Sequence, residues 1–289
     1  MVVESKAPSL KKIIMITGDL PPMPYVARKV MEIVGDSSAS AQDLQEVISK
    51  DQGLTSQILK IANSALYARS RKIETLTDAI VMLGFNTIKS LSVMNATKNL
   101  YKFMNKGKVF GLKDKLLWEH SVGAALTARA VAQKINSRFV EQAFLGGLLH
   151  DIGKLVLLQK VPEIFDSVIE EVYNTGRHFS EVEMEKLGFT HAEVGAHLMG
   201  KWKFTGDFEE AVRNHHAVTS DLQVESQLVY YIDFANRICH KLGIGFINEP
   251  DIDLSQEYSA VALGLNEQMI EGIEHLTRYM MKQEMNTFM

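Results

Sequence analysis

The chain has 289 residues, of which 46% are hydrophobic, with only 19 glycines and 6 prolines. This length allows one large domain or two packed ones, and the scarcity of glycine and proline argues against disorder and against a turn-rich all-β fold. The net charge is −4 and no basic stripe stands out, so nucleic acid is not an expected partner. The only cysteine, Cys239, excludes an internal disulfide and favours a reducing compartment.

No uninterrupted apolar stretch approaches the roughly 20 residues that a membrane helix needs. The N-terminal stretch KKIIMITGDLPPMP has an apolar part that is too short for the core of a signal peptide. We therefore expect a cytoplasmic protein without a membrane partner.

Apolar spacing is helical in the first third of the chain, where short helices and tight turns are predicted. Ser40 and Asp43 form a capping-box pattern at the start of one helix. Thr77 or Asp78 is expected to cap a later helix, which ends at Gly84. The polar, glycine-containing stretch Asn105–Lys115 that follows is the predicted boundary between two helical lobes.

The second lobe is also predicted to be helical. One helix is expected over Glu119–Ile135 and another over Val140–Gln159, where apolar residues form a continuous stripe. Pro162 suits a first helical turn and Gly176 the end of that helix. Further helix starts are predicted at Ser180, Thr190 and Asp207, each followed three residues later by glutamate, and a final core helix is predicted over Ser226–Leu242. No strand alternation appears, so we predict an all-α, two-lobed helical bundle.

Several ionisable side chains lie where the pattern predicts core. A buried carboxylate without a partner costs several kcal/mol or a large pKa shift, about 3–5 units at most, so it needs a hydrogen-bond donor, a cation or a metal. The candidate metal ligands are His120, His150, Asp151, His191, His215, His216 and Asp233.

Imidazole and carboxylate together favour a divalent metal, with iron or manganese preferred and zinc, magnesium or nickel possible. The site could be mononuclear, or Asp151 could bridge two ions. Two ions about 3.5–4 Å apart would clamp a phosphoryl group and activate a water molecule. In that case Asp151 and Lys154 are the candidate catalytic residues, with Lys154 stabilising negative charge.

Ordinary structural roles compete with these assignments. A single histidine is more often a capped or partly exposed residue than a ligand, and this role is assigned to His178, His197, His240 and His275. Asp233 could instead pair with Arg237 one turn later. Lys154 could be solvated, or it could form a salt bridge with Asp151 that holds the site closed without metal.

The order His120, His150-Asp151, Asp233 resembles the H…HD…D pattern of the HD superfamily of metal-dependent phosphohydrolases. His191 and the pair His215-His216 resemble the larger set of the HD-GYP branch, whose members cleave cyclic di-GMP. The glycine-tyrosine-proline loop of that branch is absent after the histidine pair, however, and Leu116 stands where that branch would have a glutamate.

The closer resemblance is to the HDOD family, the HD-related output domain. The stretch from Leu20 to Tyr67, which ends in ANSALY, is similar to the first part of that family, and GGLLHDIGKLVL and HAEVGAHLMGKW are similar to its second half. The resemblance implies an HDOD domain over 20–245, with one lobe over about 20–105 and an HD-like lobe over about 116–245. Residues 1–19 would be an N-terminal extension, and 246–289 a C-terminal loop and helix.

The resemblance also implies a bacterial regulatory protein in signal transduction, with other signalling proteins as expected partners and a phosphorylated small molecule as a further candidate. The alternative is a metal-dependent phosphohydrolase acting on a nucleotide or cyclic dinucleotide. In it His120, His150, Asp151 and Asp233 would hold one ion, and Asp151, His191 and one or both of His215 and His216 would hold a second. A scaffold with an empty site is the third hypothesis.

Overall fold

The computed structural model describes residues 11, 22–64, 67, 72–104 and 111–288, without the side chains of 102–104, 284 and 286–288. The predicted N-terminal extension, apart from Lys11, and most of the predicted boundary at 105–115 lie outside these residues. Every regular element in the described parts of the chain is helical, which confirms the predicted all-α fold.

Contacts divide the chain into two compact units. The first contains the described residues from 23 to 104 together with 275–288, and its buried side chains include Val30, Leu44, Ile58 and Ile80. Its helices are α1 (Tyr25–Val34), α2 (Ala41–Ile48), α3 (Gln52–Ala62), α4 (Leu76–Leu83) and α5 (Phe85–Met104).

Helix caps in this unit follow the sequence with one shift. Ser40 accepts a hydrogen bond from the backbone N–H of Asp43 and closes the predicted capping box at the start of α2. Thr75, rather than Thr77 or Asp78, caps α4: its hydroxyl accepts a bond of 3.1 Å from the backbone N–H of Asp78. The predicted position of the α4 cap was wrong by two or three residues, because Thr75 is the residue with the extended backbone that an N-cap requires.

The second unit comprises residues 111–274. Its helices are α6 (Leu112–Lys134), α7 (Val140–Leu149), α8 (Ile152–Lys160), α9 (Pro162–Thr175), α10 (Phe179–Leu187), α11 (His191–Lys201), α12 (Gly206–Asn214), α13 (Leu228–Lys241), a 3-10 turn (Leu254–Gln256), α14 (Tyr258–Ala262) and α15 (Glu267–Phe288). The residues of α15 from 275 onwards belong to the first unit.

Helix α6 lies at the centre of the second unit, where it packs against α7 and α13. Its alanines permit a close approach, and a Cβ at Gly147 of α7 would overlap the backbone of Ala124. Helix α11 packs against α8 and α12. The buried apolar cluster beneath α13 contains Ala128, Val131, Ala132, Ala143, Tyr231, Phe234, Ala235, Ile238, Leu254, Ala260, Leu263, Ile270 and Ile273.

The predicted helix Val140–Gln159 is two helices, and the prediction of a continuous helix was wrong. The break falls at His150 and Asp151, between α7 and α8. His150 ends α7, and its ring Nδ1 lies 2.7 Å from the carbonyl of Gly147, back along the same helix. The apolar stripe continues through the break because both helices bury side chains in the same core, so periodicity alone did not reveal it.

The three predicted serine, threonine or aspartate caps had different outcomes. Thr190 and Glu193 form the expected capping box at the start of α11. Helix α10 begins one residue before Ser180, and α12 begins one residue before Asp207, without a side-chain cap in either case. The Ser180 prediction failed because the glutamate of its pattern, Glu183, turns into the protein interior.

Within the described parts of the chain, no single helix is long and apolar enough to cross a membrane. Leu76–Leu83 and Phe85–Tyr101 meet those requirements only as a pair, and they are bent by 113° at the residue between them.

Candidate metal centre

Most of the polar side chains predicted as ligands come from the interior of one helix and from three breaks between helices. His120 projects from α6, His150 and Asp151 lie at the α7–α8 break, and His191 is the first residue of α11. The chain after α12 adds the adjacent residues His215 and His216. All are buried except His216, which is half-buried. Six of the seven predicted ligands are therefore brought together within the unit of residues 111–274.

The first group joins His120, His150 and one oxygen of Asp151. The two histidine Nε2 atoms are 3.2 Å apart. Asp151 Oδ2 lies 3.5 Å from His120 Nε2 and 3.4 Å from His150 Nε2. These separations place three potential ligand atoms around one small volume.

The second group uses the other oxygen of the same carboxylate. Asp151 Oδ1 lies 3.0 Å from His191 Nε2 and 3.8 Å from His215 Nε2. His216 Nε2 is 3.1 Å from His191 Nε2, and the ligand atoms of all four residues lie within 4.8 Å of one another. Asp151 thus stands between the two groups, the position of a bridging carboxylate.

Hydrogen bonds to oxygen fix the tautomers of four of these histidines. In each ring Nδ1 faces an acceptor that carries no proton, so Nδ1 holds the N–H, and in the neutral ring Nε2 presents a lone pair to the cluster. The Nδ1 partners are the carbonyl of Ile244 for His120 (2.9 Å), of Gly147 for His150 (2.7 Å), of Val212 for His215 (2.7 Å), and Glu183 Oε2 for His191 (2.7 Å).

These residues fit a cation better than they fit one another. His215 Nε2 is fully buried and makes no hydrogen bond, and Asp151 Oδ1 is fully buried with the imidazole of His191 as its neighbour at 3.0 Å. The Nε2 lone pairs of His120 and His150, 3.2 Å apart, repel each other, and an unpaired buried acceptor costs about 1–3 kcal/mol. A divalent cation in each group would satisfy these atoms, and the nitrogen and oxygen ligands suit iron, manganese or zinc.

Burial keeps most of the cluster in the protonation states that metal binding requires. Burial lowers the pKa of His120 to about 3 against the opposing charge of Asp151. It also lowers the pKa of His150, and it lowers those of His215 and His216 well below the ordinary value. These rings are therefore neutral near pH 7 and can donate Nε2 lone pairs.

Asp151 and His191 behave differently from the neutral rings. Burial raises the pKa of Asp151, but the electrostatic interactions with His150, Lys154 and His191 and the hydrogen bond from His191 outweigh burial and hold the pKa well below its usual range. Burial lowers the pKa of His191, but the charges of Glu183 and Asp151, together with the hydrogen bond to Asp151, raise it above its ordinary value. Without metal, a proton on His191 can face the ionised carboxylate, and a bound cation would take the place of that proton.

Lys154 forms the salt bridge with Asp151 that the sequence allowed as one alternative. Its Nζ lies 2.7 Å from Asp151 Oδ2 and 4.0 Å from the centre of the Phe179 ring. Both charged side chains are buried. The ammonium offsets part of the negative charge of the carboxylate and lies at the side of the cluster occupied by His120.

Asp233 does not join either group and pairs with Arg237 instead. Both of its carboxylate oxygens lie 3.0 Å from Arg237 Nε, and Arg237 also contacts Glu257 at 2.9 Å. Burial raises the pKa of Asp233, opposed by the charge of Arg237. The i,i+4 pair that the sequence offered as the alternative is the one present, because Arg237 follows one helical turn later on α13.

Two residues of the site were missed. Glu183 is fully buried and accepts bonds of 2.7 Å from both the backbone N–H and Nδ1 of His191. His240 belongs to neither ligand group, but its ring stacks on His120 at 5.7 Å and is buried. The spacing of Glu183 matched a capping box, and no sequence signal distinguished its inward direction.

The cluster is almost closed to solvent. The cavity beside it is about 10 Å³, room for about one water molecule. Its walls are Leu117, His120, Asp151, Lys154, Phe179, His240, Phe246 and Ile247. A ligand larger than water would have to displace wall residues.

An all-helical fold with histidines gathered around one aspartate at a helix break defines a domain of the HD type. The family model of the HDOD domain matches residues 20–218, more than half of the chain. The chain therefore belongs to the HDOD family, which confirms the resemblance inferred from its motifs.

Similar proteins agree with this assignment. An HDOD domain protein from Geobacter sulfurreducens has a structure that aligns with a TM-score of 0.77 at 23% identity and covers 95% of this chain and 93% of that one. A protein from Marinobacter aquaeolei VT8, with a suggested role in signal transduction, aligns with a TM-score of 0.75 at 22% identity over 95% of this chain and 60% of that one. At these identities the likeness establishes the fold.

Curated proteins match at similar levels of identity. A protein of Treponema pallidum (strain Nichols) is 23% identical over 224 residues, which are 75% of this chain and 42% of that protein. Ribonuclease Y of Mycoplasma mycoides is 25% identical over 182 residues, which are 63% of this chain and 35% of that enzyme. The chain thus spans less than half the length of these curated relatives.

Proposed function

We propose that this HDOD protein is a bacterial signal-transduction regulator that binds one or two divalent metal ions at the cluster around Asp151. One observation carries the metal proposal. Histidine Nε2 atoms face both oxygens of Asp151, and the Nδ1 atoms of four rings are already committed to oxygen acceptors. The expected ions are iron or manganese, with zinc, magnesium and nickel as the other candidates.

The closed geometry favours regulation over turnover. The cavity has room for about one water molecule, whereas ligand pockets usually measure about 300–1,000 Å³. A metal held in such a place supports the fold or senses a small ligand. The suggested signalling role of the similar Marinobacter protein supports the same conclusion. Expected partners are other signalling proteins.

A phosphohydrolase is the second candidate, and Lys154 is the observation that favours it. Its ammonium lies 2.7 Å from Asp151 Oδ2 on the wall of the cavity, where it could offset the negative charge of a phosphoryl group. Bound divalent ions would supply Lewis acidity and a water of lowered pKa. A nucleotide or cyclic dinucleotide is the proposed substrate, and access requires the cavity to open.

The first experiment measures metal directly. The full chain is expressed in medium supplemented with iron, manganese and zinc, and its metal content is determined by mass spectrometry. We expect about one or two equivalents in the wild type and less than about a tenth in Asp151→Ala, because that residue serves both groups. His197→Ala removes an exposed histidine of α11 and is the matched control. A wild type without metal would overturn the proposal.

The second experiment separates the two candidate functions. Metal-loaded protein is incubated with nucleotides, cyclic dinucleotides and RNA, the last because ribonuclease Y is among the similar proteins. The regulator proposal expects no turnover above the Asp151→Ala background. Metal-dependent hydrolysis that Lys154→Met abolishes, with metal content unchanged, would assign the enzyme instead.

A further inference from the structure

An apolar groove of about 500 Å³ lies beside the metal cavity, between the start of α6 and helix α9. Leu112 and Leu116 form one wall, and Ile169 and Tyr173 form the other. Two of these side chains are unusually open, because Leu112 and Tyr173 are each 67% exposed. Large apolar side chains that share an open concave surface are typical of a protein-binding site. We call this surface the α6–α9 groove.

An exposed ion pair joins the two walls of the groove. Lys113 of α6 lies 2.8 Å from Asp166 of α9, and both side chains are about half exposed. Such pairs contribute little to stability, typically less than about 1 kcal/mol. This ion pair therefore adds little resistance to an occupant of the groove.

The charge at the groove is negative. Lys113 is neutralised by Asp166, whereas Glu163 and Glu170 are exposed and have no ion-pair partner in the part of the chain that the structure describes. Two free carboxylates beside an apolar floor disfavour a nucleotide, a phosphopeptide or an anionic membrane. They favour an occupant that combines apolar side chains with lysine or arginine.

The groove also adjoins the metal site. Phe246 lines both the groove and the cavity that contains His120, Asp151 and Lys154. Two residues earlier, the carbonyl of Ile244 accepts the hydrogen bond from His120 Nδ1. An occupant of the groove would therefore touch a residue that also forms a wall of the metal cavity.

We infer that the α6–α9 groove is a docking site for a basic amphipathic helix of a partner protein. The apolar face of that helix packs on Leu112, Leu116, Ile169 and Tyr173, while its lysines or arginines reach Glu163 and Glu170. This inference names the class of partner and rests on the proposed regulatory function. A helix is favoured because the groove is an apolar trough between two helices, which suits anchors at positions i, i+3, i+4 and i+7.

The test uses two synthetic peptides of about 18 residues with the same leucine positions and helical pattern, one with lysine and one with glutamate at the polar positions. Binding to the full chain is measured by calorimetry. We expect the lysine peptide to bind at least about tenfold more tightly than the glutamate peptide. The double variant Glu163→Lys/Glu170→Lys should reverse this preference, and Leu112→Ser should weaken lysine-peptide binding.

Glu267→Lys/Glu271→Lys, which makes the same charge change at exposed positions of α15, is the matched control and should bind like the wild type. Failure of the wild type to bind the lysine peptide, or binding that survives the groove substitutions, overturns the inference. A concentration-dependent dimer that Leu112→Ser dissociates would assign the groove to a second copy instead. Metal content is measured on the same samples, so a failure of docking is distinguished from a failure of the metal proposal.

Discussion

Glu183 determines how His191 faces the cluster. It holds Nδ1 of that ring, and the resulting carboxylate–histidine pair directs Nε2 towards Asp151. Partners of this kind usually change metal affinity by about 10–100-fold when they are removed. We therefore expect Glu183→Gln to bind metal about 10–100-fold more weakly in a competition titration with a chelator. Glu181→Gln, at an exposed position of the same helix, should titrate like the wild type.

Asp233 is predicted to stabilise the fold without binding metal. Its carboxylate and the Arg237 guanidinium form a largely buried pair, and removal of the Asp233 charge leaves the guanidinium paired with Glu257. We expect Asp233→Asn to lower the free energy of unfolding by about 1 kcal/mol in urea titrations, because the hydrogen bonds from Arg237 are weakened. Its metal content should equal that of the wild type, and Asp221→Asn, at an exposed site, should change neither quantity. Loss of metal in a folded Asp233→Asn chain would restore Asp233 to the ligand set.

Buried neutral histidines make the metal-free protein sensitive to acid. The pKa of His120 is about 3 when folded, because of burial, and about 6.5 in an unfolded chain. Below about pH 6.5 the unfolded chain binds a proton that the folded chain excludes, so stability falls towards about pH 3, by up to about 1.4 kcal/mol per pH unit for this group. The lowered pKa values of His150, His215 and His216 act in the same direction.

Urea unfolding of the metal-free chain at about pH 7.5 and about pH 5.5 measures this dependence. We expect lower stability at the lower pH and a smaller difference in His120→Asn, which lacks one of the titrating rings. The raised pKa of His191 opposes the trend but concerns one ring against four. Equal stability at both pH values would contradict the prediction.

At the scale of helices, the approach of α8 to α11 places Asp151 beside His191. A Cβ at Gly153 would overlap the His191 carbonyl and lie 2.9 Å from the Gly195 nitrogen. Backbone atoms cannot yield as flexible side chains do, so the two helices would have to separate. We expect Gly153→Ala to cost about 3 kcal/mol or more of stability and to lower metal affinity.

Thermal unfolding and chelator titration measure both effects of this substitution. Gly206→Ala is the control, because a Cβ at that first residue of α12 meets no atom within 4 Å. A fully stable Gly153→Ala protein that keeps its metal would show that the spacing of α8 and α11 is not critical for the site.

At the scale of the whole molecule, metal binding should be measurable as stability. The ligands come from α6, the α7–α8 break, α11 and the chain after α12, so one cluster ties together several parts of the unit of residues 111–274. A ligand that binds only the folded state at 100 times its Kd stabilises it by about 2.7 kcal/mol. We expect EDTA to lower the midpoint of thermal unfolding of the wild type and to leave Asp151→Ala unchanged. An equal response of both proteins would contradict specific binding at the cluster.

Helical periodicity was a reliable guide to the all-α fold, because each helix buries one apolar stripe. The capping-box pattern also indicated the caps at Ser40 and Thr190, where a short polar side chain accepts a hydrogen bond from a nearby backbone N–H. Helical periodicity did not reveal the break at His150 and Asp151, since apolar residues occur on both sides of it. Local sequence signals thus predicted the presence of helices more reliably than they predicted where each helix ends.

The sequence by itself also determined which residue types are available for the site: imidazoles and one aspartate at positions that otherwise favour core. Only the tertiary structure decided their use. In the folded chain Asp151 lies between two sets of histidines, and Asp233 pairs with Arg237. Glu183, from a different helix, accepts a hydrogen bond from His191. The reason is physical: residue order and spacing specify contacts within about one helical turn, whereas the direction of a buried polar side chain depends on which helices pack against it.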